Sequence, residues 1–249
     1  MKLSAARKVL ASCLLLAPVL WALSSLIGPS TGNSSSTTGH LKDLRKIAAH
    51  QGAFITSSVM FLVGAVVFIV ATYGIVHVYR GRKVGIGQVA GGLIAIGMAV
   101  FFSFYAFSVI DYEMVKHAAF RNPATQLLFA QLLHFSQSSG PGAVVFIAFI
   151  VGIVVGPMLL GVAMIRRRNV PLWAGILTII TGPFGFFANG RVAGAIFQLV
   201  LLVALAPLAL LIWRMTDDEW DAPREIAGAR RRQPPVTSEP AGPSPAPAV

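Results

Sequence analysis

Apolar positions fall in six long blocks, at about 9–27, 53–78, 84–110, 143–165, 171–188 and 192–213, and none carries Asp, Glu, Lys or Arg in its middle. Crossing a bilayer as a helix takes about 20 mostly apolar residues, because no water is present there to satisfy bare backbone groups. The pattern predicts an all-α fold, a polytopic membrane helix bundle with six transmembrane helices over residues 1–214. A Pro- and Arg-rich tail, 215–249, follows; seven prolines between Pro223 and Pro247 predict that it is disordered.

The polar connections set the orientation. Fourteen of the twenty Lys and Arg residues lie at the N-terminus, in the turns after the second and fourth blocks, and beyond the sixth; the other six lie in the alternate connections. Lys and Arg concentrate on the cytoplasmic side, so both termini are expected in the cytoplasm, with loops 28–52 and 110–142 outside. The first block exceeds the 7–15 apolar residues of a usual signal peptide and reads as an uncleaved anchor. A cleaved signal, with Ala22-Leu23-Ser24 near its end, is the alternative.

Neither outer loop is featureless. Leu41, Leu44, Ile47 and Ala48 share one helical face, with Lys42, Arg45 and Lys46 turned away, a pattern that can contact anionic lipid headgroups. Asn122-Pro123 predicts a helix start. Leu127, Leu128, Leu132 and Phe135 follow at helical spacing, too few residues to span and suited to an interfacial helix that caps the bundle or lids a cavity.

Composition narrows the class. The 249 residues are 55% hydrophobic and 12% charged, with a net charge of +11; a soluble domain is roughly 25% charged. The basic residues sit at block ends rather than in one stripe, so a nucleic-acid partner is not expected. The lone Cys13 excludes an intramolecular disulfide and a thiolate metal cluster. His77 is the only histidine within a block, which disfavours a haem held by two axial histidines.

Packing and chemistry have a few candidates. Gly87-x-x-x-Gly91 and Gly152-x-x-x-Gly156 mark faces where helices approach closely. Gly156-Pro157 and Gly182-Pro183 are candidate helix hinges. His50 precedes the second block, Asp111, Glu113 and His117 follow the third, and the short turn between these blocks makes them antiparallel neighbours. His50 is therefore expected near Asp111, with Glu113 and His117 on one face. Such a cluster suits an interfacial hydrogen-bond network, or zinc held by imidazole and carboxylate. No catalytic residue is assigned.

Tyr79-Arg80-Gly81-Arg82-Lys83, the Gly-rich third block ending at Asp111, and Arg166-Arg167-Arg168-Asn169-Val170-Pro171-Leu172-Trp173-Ala174 resemble uncharacterised six-helix integral membrane proteins of actinobacteria and related bacteria. The likeness covers roughly residues 5–214. It implies a fold and a compartment, the bacterial cytoplasmic membrane, and no activity. The expected role is non-enzymatic: a binding, assembly or accessory component with the lipid bilayer, a membrane-protein partner or a second copy as its associate. Two alternatives stand beside it. One is a small transporter of an uncharged or amphipathic solute, hinged at Pro157 and Pro183. The other is a metal-dependent membrane hydrolase using His50, Asp111, Glu113 and His117.

Overall fold

The computed structural model describes residues 3–29, 36–80, 85–138, 140–188 and 190–221. Helices α1 (Leu3–Ile27), α2 (Thr37–Ala49), α3 (Gln51–Val78) and α4 (Ile86–Lys116) are followed by a 3-10 turn, Ala118–Arg121. Then come α5 (Pro123–Ser138), α6 (Gly140–Ile150), a π-helical segment (Val151–Val155), α7 (Gly156–Arg167), α8 (Leu172–Phe187), α9 (Arg191–Arg214) and the short α10 (Asp217–Asp221). No strand occurs among the described residues.

The long helices close a ring. α1 packs between α3 and α9, α4 between α3 and α7, and α8 between α7 and α9. Leu14, Ile75, Ile94, Leu160, Met164, Leu205, Leu208 and Ile212 fill its interior and are fully buried. The outside is equally apolar: Val59, Val63, Val66 and Val70 form an exposed stripe on α3, and Ile176, Ile180 and Phe184 another on α8. In water that surface aggregates; in hydrocarbon it costs nothing.

Among the described residues, five helices are long and apolar enough to cross a membrane: Ser4–Ile27, Gln51–Val78, Ile86–Ser103, Val144–Arg167 and Arg191–Arg214. The block at 171–188 forms a shorter helix than the expected sixth span. α8 has 16 residues, about 24 Å at 1.5 Å per residue, against a hydrocarbon thickness of roughly 30 Å. Pro171 fixes its start, and Gly190, at φ 93°, turns the chain into α9. The third block is longer than its apolar stretch, because α4 continues past residue 110 to Lys116.

Seams between helices are tight. Trp21 donates to the Phe61 carbonyl (3.2 Å) and Ser24 to the Ser57 carbonyl (2.7 Å), tying α1 to α3. At the crossing of α4 with the π segment, Gly97 and Gly152 meet backbone to backbone; a Cβ on Gly97 would lie 2.7 Å from the Gly152 Cα. The π segment answers Pro157. A proline has no N–H and its ring crowds the carbonyl four residues back, and here the Gly156 N–H bonds instead to the Val151 carbonyl, five residues back. Of the two hinge candidates, Pro157 thus opens α7 behind a widened turn, whereas Pro183 lies inside α8.

The tail starts later than expected. Residues 217–221, expected to be disordered, form α10, capped reciprocally by Thr216 and Glu219 (Thr216 N–H to Glu219 Oε2, 2.9 Å; Glu219 N–H to Thr216 Oγ1, 3.2 Å). Trp220 is buried and stacks on His77, with centroids 3.9 Å apart. Its carbonyl accepts from His77 Nε2 (2.9 Å) and Arg80 Nη2 (2.5 Å). Arg7, itself buried, pairs with Asp217 at 2.5 Å. The remainder of the expected disordered tail, 222–249, lies outside the described residues.

Candidate functional site at the capped end

A second core stands at the end of the bundle opposite α10. Leu44 and Ile47 of α2, Phe54 of α3, Val115 of α4, Phe120 of the 3-10 turn and Ala130 of α5 are buried together. This is the cap that the loop patterns foreshadow. Ser36 caps α2 by accepting from the Gly39 N–H (3.2 Å), and Asn122 accepts from the Ala124 N–H (2.9 Å) at the start of α5. α2 buries the face expected of it. α5 does not bury its leucine stripe: Leu127, Leu128, Leu132 and Phe135 are exposed, while Ala130, Phe129 and Leu133 meet the core.

The four polar residues singled out from sequence do not converge. The register of α3 on α4, set by Gly91 against Val76 and by Phe61 stacked on Tyr105, places His50 level with Lys116 rather than Asp111. His50 is exposed and ends α2. Asp111, one residue past the apolar block 84–110, is partly buried without an ion-pair or hydrogen-bond partner among the described residues, and burial raises its carboxyl to about 6. Glu113 pairs with Lys116 at 3.8 Å, and the His117 N–H closes α4 on the Glu113 carbonyl (3.1 Å). Among the described residues no three His, Cys, Asp or Glu are placed to hold a metal ion; the zinc arrangement is not assembled.

What the cap does assemble is a pair of adjacent cavities that share His117. One, of about 450 Å³, is apolar: Val109, Ile110 and Met114 of α4 and Phe129 of α5 line it, with Glu113 and His117 as its polar members. Residues 110, 113, 114 and 117 fall on one side of α4 because they recur at helical spacing. The other cavity, of about 410 Å³, has a floor of Ala48, Val115 and Phe120. Its rim carries Arg45, Lys116 and Arg121, with Gln51, Gln126 and His117 beside them and no carboxylate. Gln126 braces that rim: its Oε1 accepts from Arg45 Nε (3.0 Å) while its Nε2 donates to the Phe120 carbonyl (2.9 Å).

A histidine pair lies where α2 meets α5. His40 is buried, its Nε2 has no hydrogen-bond partner, and its ring lies 6.1 Å from that of His134. Burial, then the neighbouring His134, lower the His40 pKa; Asp43, one turn along α2, opposes them.

Sequence reasoning missed the basic rim and His40. The rim draws on Arg45, Lys116 and Arg121 from three separate elements, and His40 meets a partner in another helix; only the apolar phase of α2, which buries Leu44 and Ile47 in the cap, hinted at either. Comparison with known proteins adds no relative: no family model, no curated protein and no solved structure matches the chain.

Proposed function

We propose that this chain is a six-span protein of the bacterial cytoplasmic membrane, with both termini inside and a non-enzymatic binding or accessory role exercised at its capped, outer end. Three features support the topology. The exposed helix faces are apolar, and along the sequence Lys and Arg concentrate in the termini and the alternate connections expected inside. α8, though short, carries the chain from one end of the ring to the other. Its Gly175 packs on Gly161 of α7, five residues before Arg166, while Gly194 after it faces Ser25, at the far end of α1. A short span is met by local thinning of the bilayer at modest cost.

The observation that carries the role is the second core. A protein that needed only to span the bilayer has no use for a folded platform of α2, α5 and the outer ends of α3 and α4, and both cavities described lie in it. The blocks hold no Asp, Glu, Lys or Arg in their middles, where ion-coupled pumps place charge. Cysteine labelling tests the reading. In a Cys13→Ser background, Ser138→Cys reacts with a membrane-impermeant maleimide on intact cells, and Gly81→Cys reacts only after permeabilisation. The opposite pattern puts the cap in the cytoplasm and refutes the proposal.

A further inference from the structure

We propose that the two cavities joined at His117 form one binding site for a membrane lipid carrying an anionic phosphate headgroup. The apolar cavity takes the start of the chain and the basic one takes the head. The inference rests on the reading that the capped end stands at the membrane boundary.

Position comes first. The apolar cavity opens beside Val109 and Ile110, which are 41% and 51% exposed on α4, at the end of the apolar block 84–110. A lipid in the adjoining leaflet has its acyl–headgroup junction at that depth. Chemistry comes second. The walls differ in polarity as an amphiphile requires: one is apolar but for Glu113 and His117, the other carries Arg45, Lys116 and Arg121. Arg45, Lys116 and Arg121 put three cations on the wall of the basic cavity, which attracts a phosphate, and guanidinium groups match phosphate oxygens two at a time.

Preparation comes third. Gln126 holds Arg45 by Nε, which orients its planar fork, and Gln126 is fixed in turn by the Phe120 carbonyl. Lys116 reaches both walls: it pairs with Glu113 of the apolar cavity at 3.8 Å while lining the basic one. Exposed pairs at this spacing hold weakly, so a phosphate can take Lys116 over. Both cavities are open depressions, of about 450 and 410 Å³.

The test is native mass spectrometry of the full chain, released from neutral detergent containing equal phosphatidylglycerol and phosphatidylcholine. The expected result is one retained phosphatidylglycerol per chain, in at least about tenfold preference. Each surface cation contributes about fivefold to binding an anionic headgroup, so Arg45→Gln with Arg121→Gln should lower retention about 25-fold at an unchanged unfolding temperature. Ile110→Ser with Met114→Ser should lower it independently, by removing the tail's contacts.

Retention that is indifferent to the Arg pair, or equal for the two lipids, overturns the proposal. So does displacement of the lipid by millimolar inorganic phosphate together with indifference to the Ile110/Met114 pair, which would make the rim a site for free phosphate. Micelles have no sides, so this measurement does not depend on topology. Failure here leaves the labelling result standing, and reversed labelling moves the site to the other leaflet without abolishing it.

Discussion

Replacing Gly152 by alanine puts a methyl group against the backbone of α4, 2.5 Å from the Gly97 nitrogen and 2.7 Å from the Leu93 carbonyl oxygen. Carbon atoms rest about 3.5–4.0 Å apart, so the helices must part by roughly 1 Å along the seam. Both sides of the contact are backbone, and no side chain can rotate away. Overpacking costs about 1–3 kcal/mol; this site belongs at the upper end. The better helix propensity of alanine returns up to about 1 kcal/mol, for a net loss near 2 kcal/mol. Gly92, on the same helix as Gly97, has nothing within 4 Å of its added Cβ, so Gly92→Ala keeps the propensity gain, up to about 1 kcal/mol. The two variants should therefore differ by about 3 kcal/mol. At about 2–4 °C per kcal/mol for a chain of this size, their unfolding midpoints separate by roughly 6–12 °C, read from tryptophan fluorescence of the detergent-solubilised protein. Midpoints within about 2 °C of each other would refute the account of the seam, since the propensity term is common to both.

Three further outcomes are expected. Acidification should loosen α2 from α5: the His40 pKa lies below its ordinary value of 6.5, so the folded state resists protonation. Its stability is whole above 6.5 and falls as pH drops from there toward the lowered value. Hydrogen exchange of amides 37–49, corrected for intrinsic rate, should quicken at pH 5 relative to pH 7.5 and lose that dependence in His40→Phe; an unchanged pH response in the variant removes His40 from the explanation. Trp220→Ala should release α10, because the stack on His77 and the buried indole hold it, and trypsin should then cut after Arg214 at least several-fold faster in inside-out vesicles; equal cleavage would mean that Arg7–Asp217 suffices. Tyr79→Phe should change little, since its hydroxyl reaches Asn169 only at 3.5 Å, whereas Arg167→Gln should lower the unfolding midpoint by loosening the α3 terminus, whose Tyr79 carbonyl Arg167 binds at 3.0 Å.

The apolar blocks made most of the ring legible, because helices dissolved in hydrocarbon must announce themselves by composition. Gly152 also read correctly as a contact, although its partner, Gly97, belongs to a different spacing than the Gly87/Gly91 motif nearby. Composition fails where the chain leaves the hydrocarbon. α4 continues through Asp111, Glu113 and Lys116 because a helix ends with its hydrogen bonds, not with its apolar residues. α10 was hidden by its acidic content, yet Thr216-x-x-Glu219 carries the capping-box pattern that would have revealed it. The π segment has a weaker signature: Pro157 predicts a disturbance, but kinking and widening both relieve it, and the choice depends on how Gly152 must meet α4.

The site was harder to read than the fold for a geometric reason. Helical spacing relates residues within one element, and Glu113 and His117, four apart, both line the apolar cavity. Contacts between elements depend on register, and one turn of helix advances the chain by about 5.4 Å. His50 was therefore aligned with the wrong residue of α4 although the pairing of helices was right. The basic rim compounds the difficulty, since it needs α2, α4, the 3-10 turn and α5 to arrive at once. Read singly, Arg45 is a solvated residue on an amphipathic helix and Arg121 a loop cation; only the packing of Leu44, Ile47, Phe120 and Ala130 beneath them turns like charges toward one depression. That juxtaposition opposes folding through mutual repulsion, and an anionic headgroup that bound there would relieve the repulsion and stabilise the cap along with it.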